Sequence, residues 1–144
     1  GAFIVFNPVD PLLPPVQFID RRLQPDWKEK IKKYQTVIQN YRMISAGEQT
    51  GWDQDRKAHS TAALGMDGEG NVLFIFSSMP RTTHDFIELL LRLPLDIQDA
   101  MYLEGGAYAG VYYRGTGSGR AAGGGLECLP SLKVPNVIGV MCRR

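Results

Sequence analysis

One apolar stretch interrupted by a polar corner dominates the hydrophobic pattern. An apolar run at 100–103 leads into Glu104-Gly105-Gly106, and a second apolar run follows at 108–113. Branched and aromatic side chains favour the pleated surface of a strand, whereas glycines permit tight turns and close backbone approaches. The stretch therefore predicts a central strand, a corner with Glu104 at the strand end, and a second strand that pairs with the first.

Similar runs predict the other strands of the sheet. Further strands are expected at 2–6, 36–44, 72–76 and 136–142. Asp-Gly and Gly-Asn at 67–71 are turn formers, so they predict a hairpin that ends in 72–76. That second run is apolar throughout, which predicts a central place in the sheet. Within 36–44, a period of two places Asn40 and Arg42 on one face.

Two helices complete the predicted architecture. Trp27, Ile31 and Tyr34 recur at helical spacing after a proline suited to a first helical position. A second helix is predicted between the capping pair Thr82 and Asp85 and the terminating Pro94. The sequence thus predicts an α+β fold with a mixed, mainly antiparallel sheet and about two helices. Its 144 residues correspond to one domain, 1–144.

Composition narrows the choice of partners. Sixteen Lys and Arg residues nearly balance 15 Asp and Glu residues, so no basic surface for nucleic acid is expected. No apolar run approaches the roughly 18 residues that span a bilayer. Cys128 and Cys142 are interpreted either as one disulfide or as two free thiols, and their spacing argues against a zinc site. We expect no metal and no cofactor.

Several polar residues have both a functional and an ordinary interpretation. Glu104 beside open glycine N–H groups suits acid/base work, but a solvated turn glutamate is equally compatible. Arg42 within a strand needs an anionic ligand or a structural carboxylate. Trp52 either packs in the core or offers a flat surface to a sugar ring. His84, at a helix N-terminus, either donates a hydrogen bond to a phosphate or is a surface cap residue.

The glycine-rich segment at 115–125 has a weaker functional interpretation. It lacks the Gly-Lys-Ser/Thr sequence of a Walker loop and the strand-to-helix setting of a dinucleotide-binding motif. A flexible surface loop is therefore favoured over a nucleotide site.

Three blocks together resemble the phosphodiester glycosidase family. They are His59-Ser60-Thr61-Ala62-Ala63-Leu64-Gly65, residues 100–106, and Pro135-Asn136-Val137-Ile138-Gly139-Val140. The resemblance runs from about Asn7 to the end of the chain. It implies a hydrolase that cleaves a sugar from a glycosyl phosphodiester, with a carbohydrate or glycosyl phosphate as ligand.

The resemblance also implies roles for individual residues. A carboxylate near the anomeric carbon, donors around the phosphate and a flat surface for the sugar are required. The expected catalytic residues are Glu104, His59 and Arg42. The expected substrate-binding residues are Gly105, Gly106, Ser60, Asn40, His84, Trp52 and Tyr108.

Two departures from the family pattern leave alternatives open. The usual corner is Leu-Asp-Gly-Gly, whereas this chain has Glu104 in place of the aspartate. Family members also carry an upstream half with an Asn-Ala-Gly-x-Phe type motif. We therefore expect a fragment, a shortened natural form, or a second chain that supplies that half and the second catalytic carboxylate.

Other functions compatible with these departures are non-catalytic. One is a carbohydrate-binding or envelope interaction module of the same fold. Another is a structural role in which residues 2–6 pair with a strand of another chain. The resemblance to secreted bacterial relatives predicts export to the periplasm, cell envelope or exterior.

Overall fold

The computed structural model describes residues 1–54, 57–114, 125–130, 132–134 and 136–141. Its strands are β1 (Ala2–Pro8), β2 (Val16–Asp20), β3 (Tyr34–Asn40), β4 (Arg42–Ser45), β5 (Glu48–Gln49), β6 (His59–Asp67), β7 (Val72–Arg81), β8 (Ile97–Gly105), β9 (Val111–Arg114) and β10 (Gly125–Cys128). The helices are α1 (Trp27–Ile31) and α2 (Thr83–Arg92), and a 3-10 turn spans Gly106–Tyr108. The predicted α+β class is confirmed.

The largest sheet carries the glycine corner. Its strand order is β5-β4-β8-β6-β7, and all its pairings are antiparallel. The central strands β6 and β8 pair so that Thr61 faces Gly105 and Ala62 faces Glu104. A register shift follows, because Ala63 pairs with Tyr102 and Leu103 is the extra residue of a bulge. This register brings the start of β6 beside the end of β8.

A second sheet of three strands packs against the first. Its order is β2-β1-β3, again antiparallel, with β1 in the middle. One core cluster joins side chains of both sheets: Ala2, Ile4, Phe18, Leu64 and Met101. Since β1 has a partner on each edge, residues 2–6 offer no free edge, and the predicted pairing of this segment with a strand of another chain is wrong.

Helix α2 covers the other face of the large sheet. Its predicted cap is confirmed, since the Thr82 hydroxyl accepts a hydrogen bond from the Asp85 backbone N–H at 3.0 Å. Phe86, Ile87 and Leu90 are buried against Met43, Ile44, Ala63, Ile97 and Ala100. No helix among the described residues is both long and apolar enough to cross a membrane.

The segment predicted as one strand at 36–44 is two strands in different sheets. Asn40 ends β3 in the small sheet, and Arg42 begins β4 in the large one. The chain crosses between the sheets at Tyr41, so the two polar side chains do not share a strand face as predicted. The local pattern concealed this crossing because both halves have strand composition.

Other strand assignments also change. The predicted hairpin is present as β6 and β7, but β7 is an edge strand and not a central one. The 100–103 run pairs with β4 and β6, whereas β9 pairs with β10. Tyr34 begins β3 instead of extending α1. The described residues 136–141 contain no strand, and Cys142 and 115–124 lie outside the described residues.

Candidate functional site

The glycine corner comprises Glu104, Gly105 and Gly106 together with His59, Ser60 and Tyr102. Gly105 ends β8 with an extended backbone, and Gly106 opens the 3-10 turn with φ of 62°. A Cβ at Gly105 would overlap the Tyr102 hydroxyl and lie 2.7 Å from Nδ1 of His59. A Cβ at Gly106 would have no neighbour within 4 Å. Gly105 is thus required for space, and Gly106 for backbone conformation.

The start of β6 is tied to this corner by hydrogen bonds. The Ser60 hydroxyl donates to the Gly106 carbonyl at 2.9 Å. Nδ1 of His59 lies 2.9 Å from the Ser60 carbonyl oxygen and 3.2 Å from the Thr61 hydroxyl. Because a carbonyl oxygen only accepts, the first contact favours the tautomer with the proton on Nδ1. Nε2 is an acceptor in that tautomer.

Tyr102 is the member of the corner that sequence reasoning missed. Its ring lies edge-on to His59 with centroids 6.3 Å apart and is tilted against Trp52 at 5.8 Å. Burial, and then the negative charge of Glu104, raises the pKa of the Tyr102 hydroxyl. The phenol therefore stays neutral at physiological pH and can donate a hydrogen bond. Its place two residues before Glu104 on a predicted strand was the available clue.

Glu104 carries the carboxylate of the corner. Its side chain is exposed, and it sits opposite Ala62 at the bulge. Its negative charge is the second cause, after burial, of the raised pKa of the Tyr102 hydroxyl. A carboxylate that reaches solvent beside a neutral phenol and an imidazole can act on a bound sugar as a base or as a stabilising charge.

Arg42 lies in a buried ion pair instead of an open position. Its Nη1 atom is 2.8 Å and 2.9 Å from the two carboxylate oxygens of Asp20, whose exposed fraction is 3%. The Ser45 hydroxyl and the backbone N–H of Arg22 also donate to Asp20. We call this the Asp20 cluster. It matches the structural carboxylate that the sequence left open as an alternative for Arg42.

The hydrogen bonds that Asp20 accepts lower the pKa of its carboxyl group. Burial alone would raise the pKa of the carboxyl group, but hydrogen bonds from Ser45, Arg42 and the Arg22 backbone outweigh it and lower the pKa. Nearby Asp99 has the opposite shift, because burial and then the charge of Asp20 raise its pKa. The Asp20 cluster is accordingly arranged to hold one buried carboxylate in its charged form.

Asn40 and Trp52 contact the strands that lead to the corner. The Asn40 side-chain amide donates to the Leu103 carbonyl at 3.2 Å. The indole N–H of Trp52 donates to the Arg42 carbonyl, and its ring packs on the core cluster together with Tyr102. Trp52 is therefore a packed residue, the more conservative of its two interpretations. Tyr108 lies in the 3-10 turn with 46% of its surface exposed.

His84 lies apart from these residues. It sits in the first turn of α2, with Nδ1 3.5 Å from Oδ1 of Asp85. That nitrogen is buried and makes no hydrogen bond within the described part of the chain. No hydrogen bond or ring contact of the described residues joins His84 to the glycine corner.

Metal-ligating residues and cysteines are the other candidates for parts of a site. Within 1–54, 57–114 and the shorter described segments, no three His, Cys, Asp or Glu side chains are grouped to hold a metal ion. Cys128 is partly buried and forms no disulfide with the described residues. Its possible partner Cys142 lies outside the described residues, so the choice between a disulfide and two thiols stays a prediction.

Comparison with known proteins identifies one family. A family model described as phosphodiester glycosidase matches residues 11–141. No curated protein and no solved structure matches the chain. The matched range contains every residue of the glycine corner and of the Asp20 cluster.

Proposed function

The chain belongs to the phosphodiester glycosidase family, and we propose that it is a hydrolase that releases a sugar from a glycosyl phosphodiester. The observation that supports this most is the glycine corner, where the exposed Glu104 carboxylate is followed by Gly105, against which the Tyr102 hydroxyl and the His59 ring lie. Polymers of the cell wall or cell surface are the proposed substrate class, and export is part of the proposal because such polymers lie outside the membrane.

Glu104 is proposed to act at the anomeric carbon. Cleavage of the glycosidic bond develops positive charge on the sugar ring, and a carboxylate stabilises that charge or activates the attacking water. The Glu104 side chain is exposed and therefore accessible to a ligand. A phosphodiester leaves readily as an anion, so strong acid assistance is less necessary than for an ordinary glycoside.

His59 and Tyr102 are proposed to bind the polar groups of the substrate. The Tyr102 hydroxyl remains protonated and donates, whereas Nε2 accepts in the His59 tautomer that has its proton on Nδ1. The Ser60 hydroxyl already donates to the Gly106 carbonyl, so its role is to hold the corner in place. Because Nη1 of Arg42 is bound by Asp20, phosphate binding by Arg42 would compete with a buried ion pair.

The test is turnover of a GlcNAc phosphodiester or a UDP-sugar by the 144-residue chain. Glu104→Gln should lower kcat by at least about a hundredfold, because the substitution removes the charge and preserves the shape. Glu69→Gln, at an exposed hairpin turn, is the matched control and should leave kcat unchanged. Equal rates for wild type and Glu104→Gln would remove Glu104 from the mechanism. Sugar binding without any turnover would instead identify a carbohydrate-binding module.

A further inference from the structure

An open depression lies at the end of the small sheet, where β1 pairs with the last residues of β3. It has a volume of about 410 Å3 and is lined by Gly1, Arg21, Gln39, Asn40 and Tyr41. We propose that this depression binds the phosphate group of the substrate and that Arg21 supplies its charged side chain. The inference rests on the proposed function, because it places the leaving group of that reaction.

Two hydrogen bonds connect the depression to the strand that carries Glu104. The Asn40 side-chain amide donates to the Leu103 carbonyl at 3.2 Å, and the Tyr102 backbone N–H donates to the Tyr41 carbonyl at 3.0 Å. Asn40 Oδ1 also accepts from the Tyr41 N–H at 2.8 Å. The Asn40 amide is thus held in place, and it contacts the backbone of Leu103, the residue that precedes Glu104 on β8.

Arg21 differs from Arg42 in having no carboxylate partner. Its guanidinium lies over the Trp27 ring, 4.9 Å from the centroid, and none of the described carboxylates is within ion-pair distance. A guanidinium that packs over an aromatic ring keeps N–H groups that can donate to a planar or tetrahedral anion. Arg42, in contrast, has its charge balanced by Asp20.

The rest of the lining suits a phosphate joined to an organic group. The Gln39 side chain is exposed and forms no hydrogen bond with the described residues, so its amide is available. Tyr41 is 69% exposed and lies edge-on to Trp52, which holds its ring in place beside the depression. Small-molecule sites commonly combine such an apolar surface with a few converging polar groups in a volume of roughly 300–1,000 Å3.

The experiment measures binding of diethyl phosphate, a phosphodiester without a sugar, by NMR titration of the 144-residue chain. We expect the largest shifts at the backbone amides of Gln39, Asn40 and Tyr41, and a Kd that rises with salt. Arg21→Gln should raise Kd at least about tenfold, since a charge-assisted contact is lost. Arg22→Gln, one residue further on and outside the lining, is the control and should change Kd less than about twofold.

Several results would overturn the inference. Equal weakening by Arg21→Gln and Arg22→Gln would indicate general charge attraction, and shifts confined to other parts of the chain would place the anion elsewhere.

Arg21→Lys is the control for folding, because it keeps the charge near Trp27. The site is supported if this variant has the unfolding midpoint of wild type and an affinity for diethyl phosphate between those of wild type and Arg21→Gln. If wild type turns over the GlcNAc phosphodiester and Arg21→Gln has an unchanged KM, the subsite is wrong while the function stands. If diethyl phosphate binds at residues 39–41 but wild type turns over no GlcNAc phosphodiester, the subsite stands and the proposed function is wrong.

Discussion

The Asp20 cluster and the glycine corner use polar side chains in opposite ways. Asp20 is almost fully buried and accepts hydrogen bonds from three groups, so its bonding capacity is met inside the protein. At the corner, Glu104 faces solvent, and a hydroxyl and an imidazole crowd the space that a side chain at Gly105 would need. A saturated buried group serves stability, whereas accessible groups with unused capacity serve binding or chemistry.

The largest expected effect comes from removing the buried carboxylate. Asp20→Ala should lower the free energy of unfolding by about 3 kcal/mol, because Arg42 would lose its partner and two further donors would lose their acceptor. Urea unfolding measures the loss. Asp26→Ala, which breaks the exposed pair with Lys30, is the control and should cost less than about 1 kcal/mol. A similar loss in both variants would show that the Asp20 cluster is not special for stability.

A smaller effect, on activity, is expected from filling the space at Gly105. Gly105→Ala should lower kcat at least about tenfold, because the new methyl group displaces the Tyr102 hydroxyl or the His59 ring. Gly106→Ala adds a methyl group in open space at positive φ, so it should cost about 1 kcal/mol of stability with a smaller change in kcat. Steady-state kinetics and urea unfolding of both variants separate the two causes. Unchanged kcat in Gly105→Ala would show that the close approach of Tyr102 and His59 to Gly105 is not needed for catalysis.

The coupling of Tyr102 to Glu104 can be measured directly. Burial is the larger cause of the raised Tyr102 pKa, and the Glu104 charge is the second. Glu104→Gln should therefore lower the pKa of Tyr102 while leaving it above the ordinary value of 10.0. NMR titration of the tyrosine ring carbons follows this residue among the six tyrosines. No change in the pKa would mean that the carboxylate and the phenol do not share one site.

Part of this contrast could be predicted from the sequence. Glu104, Gly105 and Gly106 are contiguous, so strand composition followed by glycines was enough to predict the corner. His59 and Ser60 required the family resemblance, because their approach to the corner depends on the pairing of β6 with β8.

The Asp20 cluster could not be predicted in this way. Asp20 and Arg42 are far apart in the chain and meet only because β2 and β4 belong to two packed sheets. The crossing between those sheets occurs at Tyr41, where no proline or glycine marks it. Local periodicity describes one strand at a time and carries no information about which sheet a strand joins.

The smallest expected effect concerns Asp99, which lies near the Asp20 cluster. Its folded pKa is raised above 3.8, chiefly by burial and then by the charge of Asp20, whereas that of Asp20 is lowered below 3.8. Falling pH therefore removes stability contributed by Asp20 below about pH 3.8, while ionisation of Asp99 costs stability as pH rises through its folded pKa. Asp99→Asn should raise the free energy of unfolding at pH 7 by less than about 1 kcal/mol, and this gain should vanish at pH values below the ordinary range of an aspartate. A gain that is the same at pH 3 and pH 7, measured by urea unfolding, would show that the charge of Asp99 is not its cause.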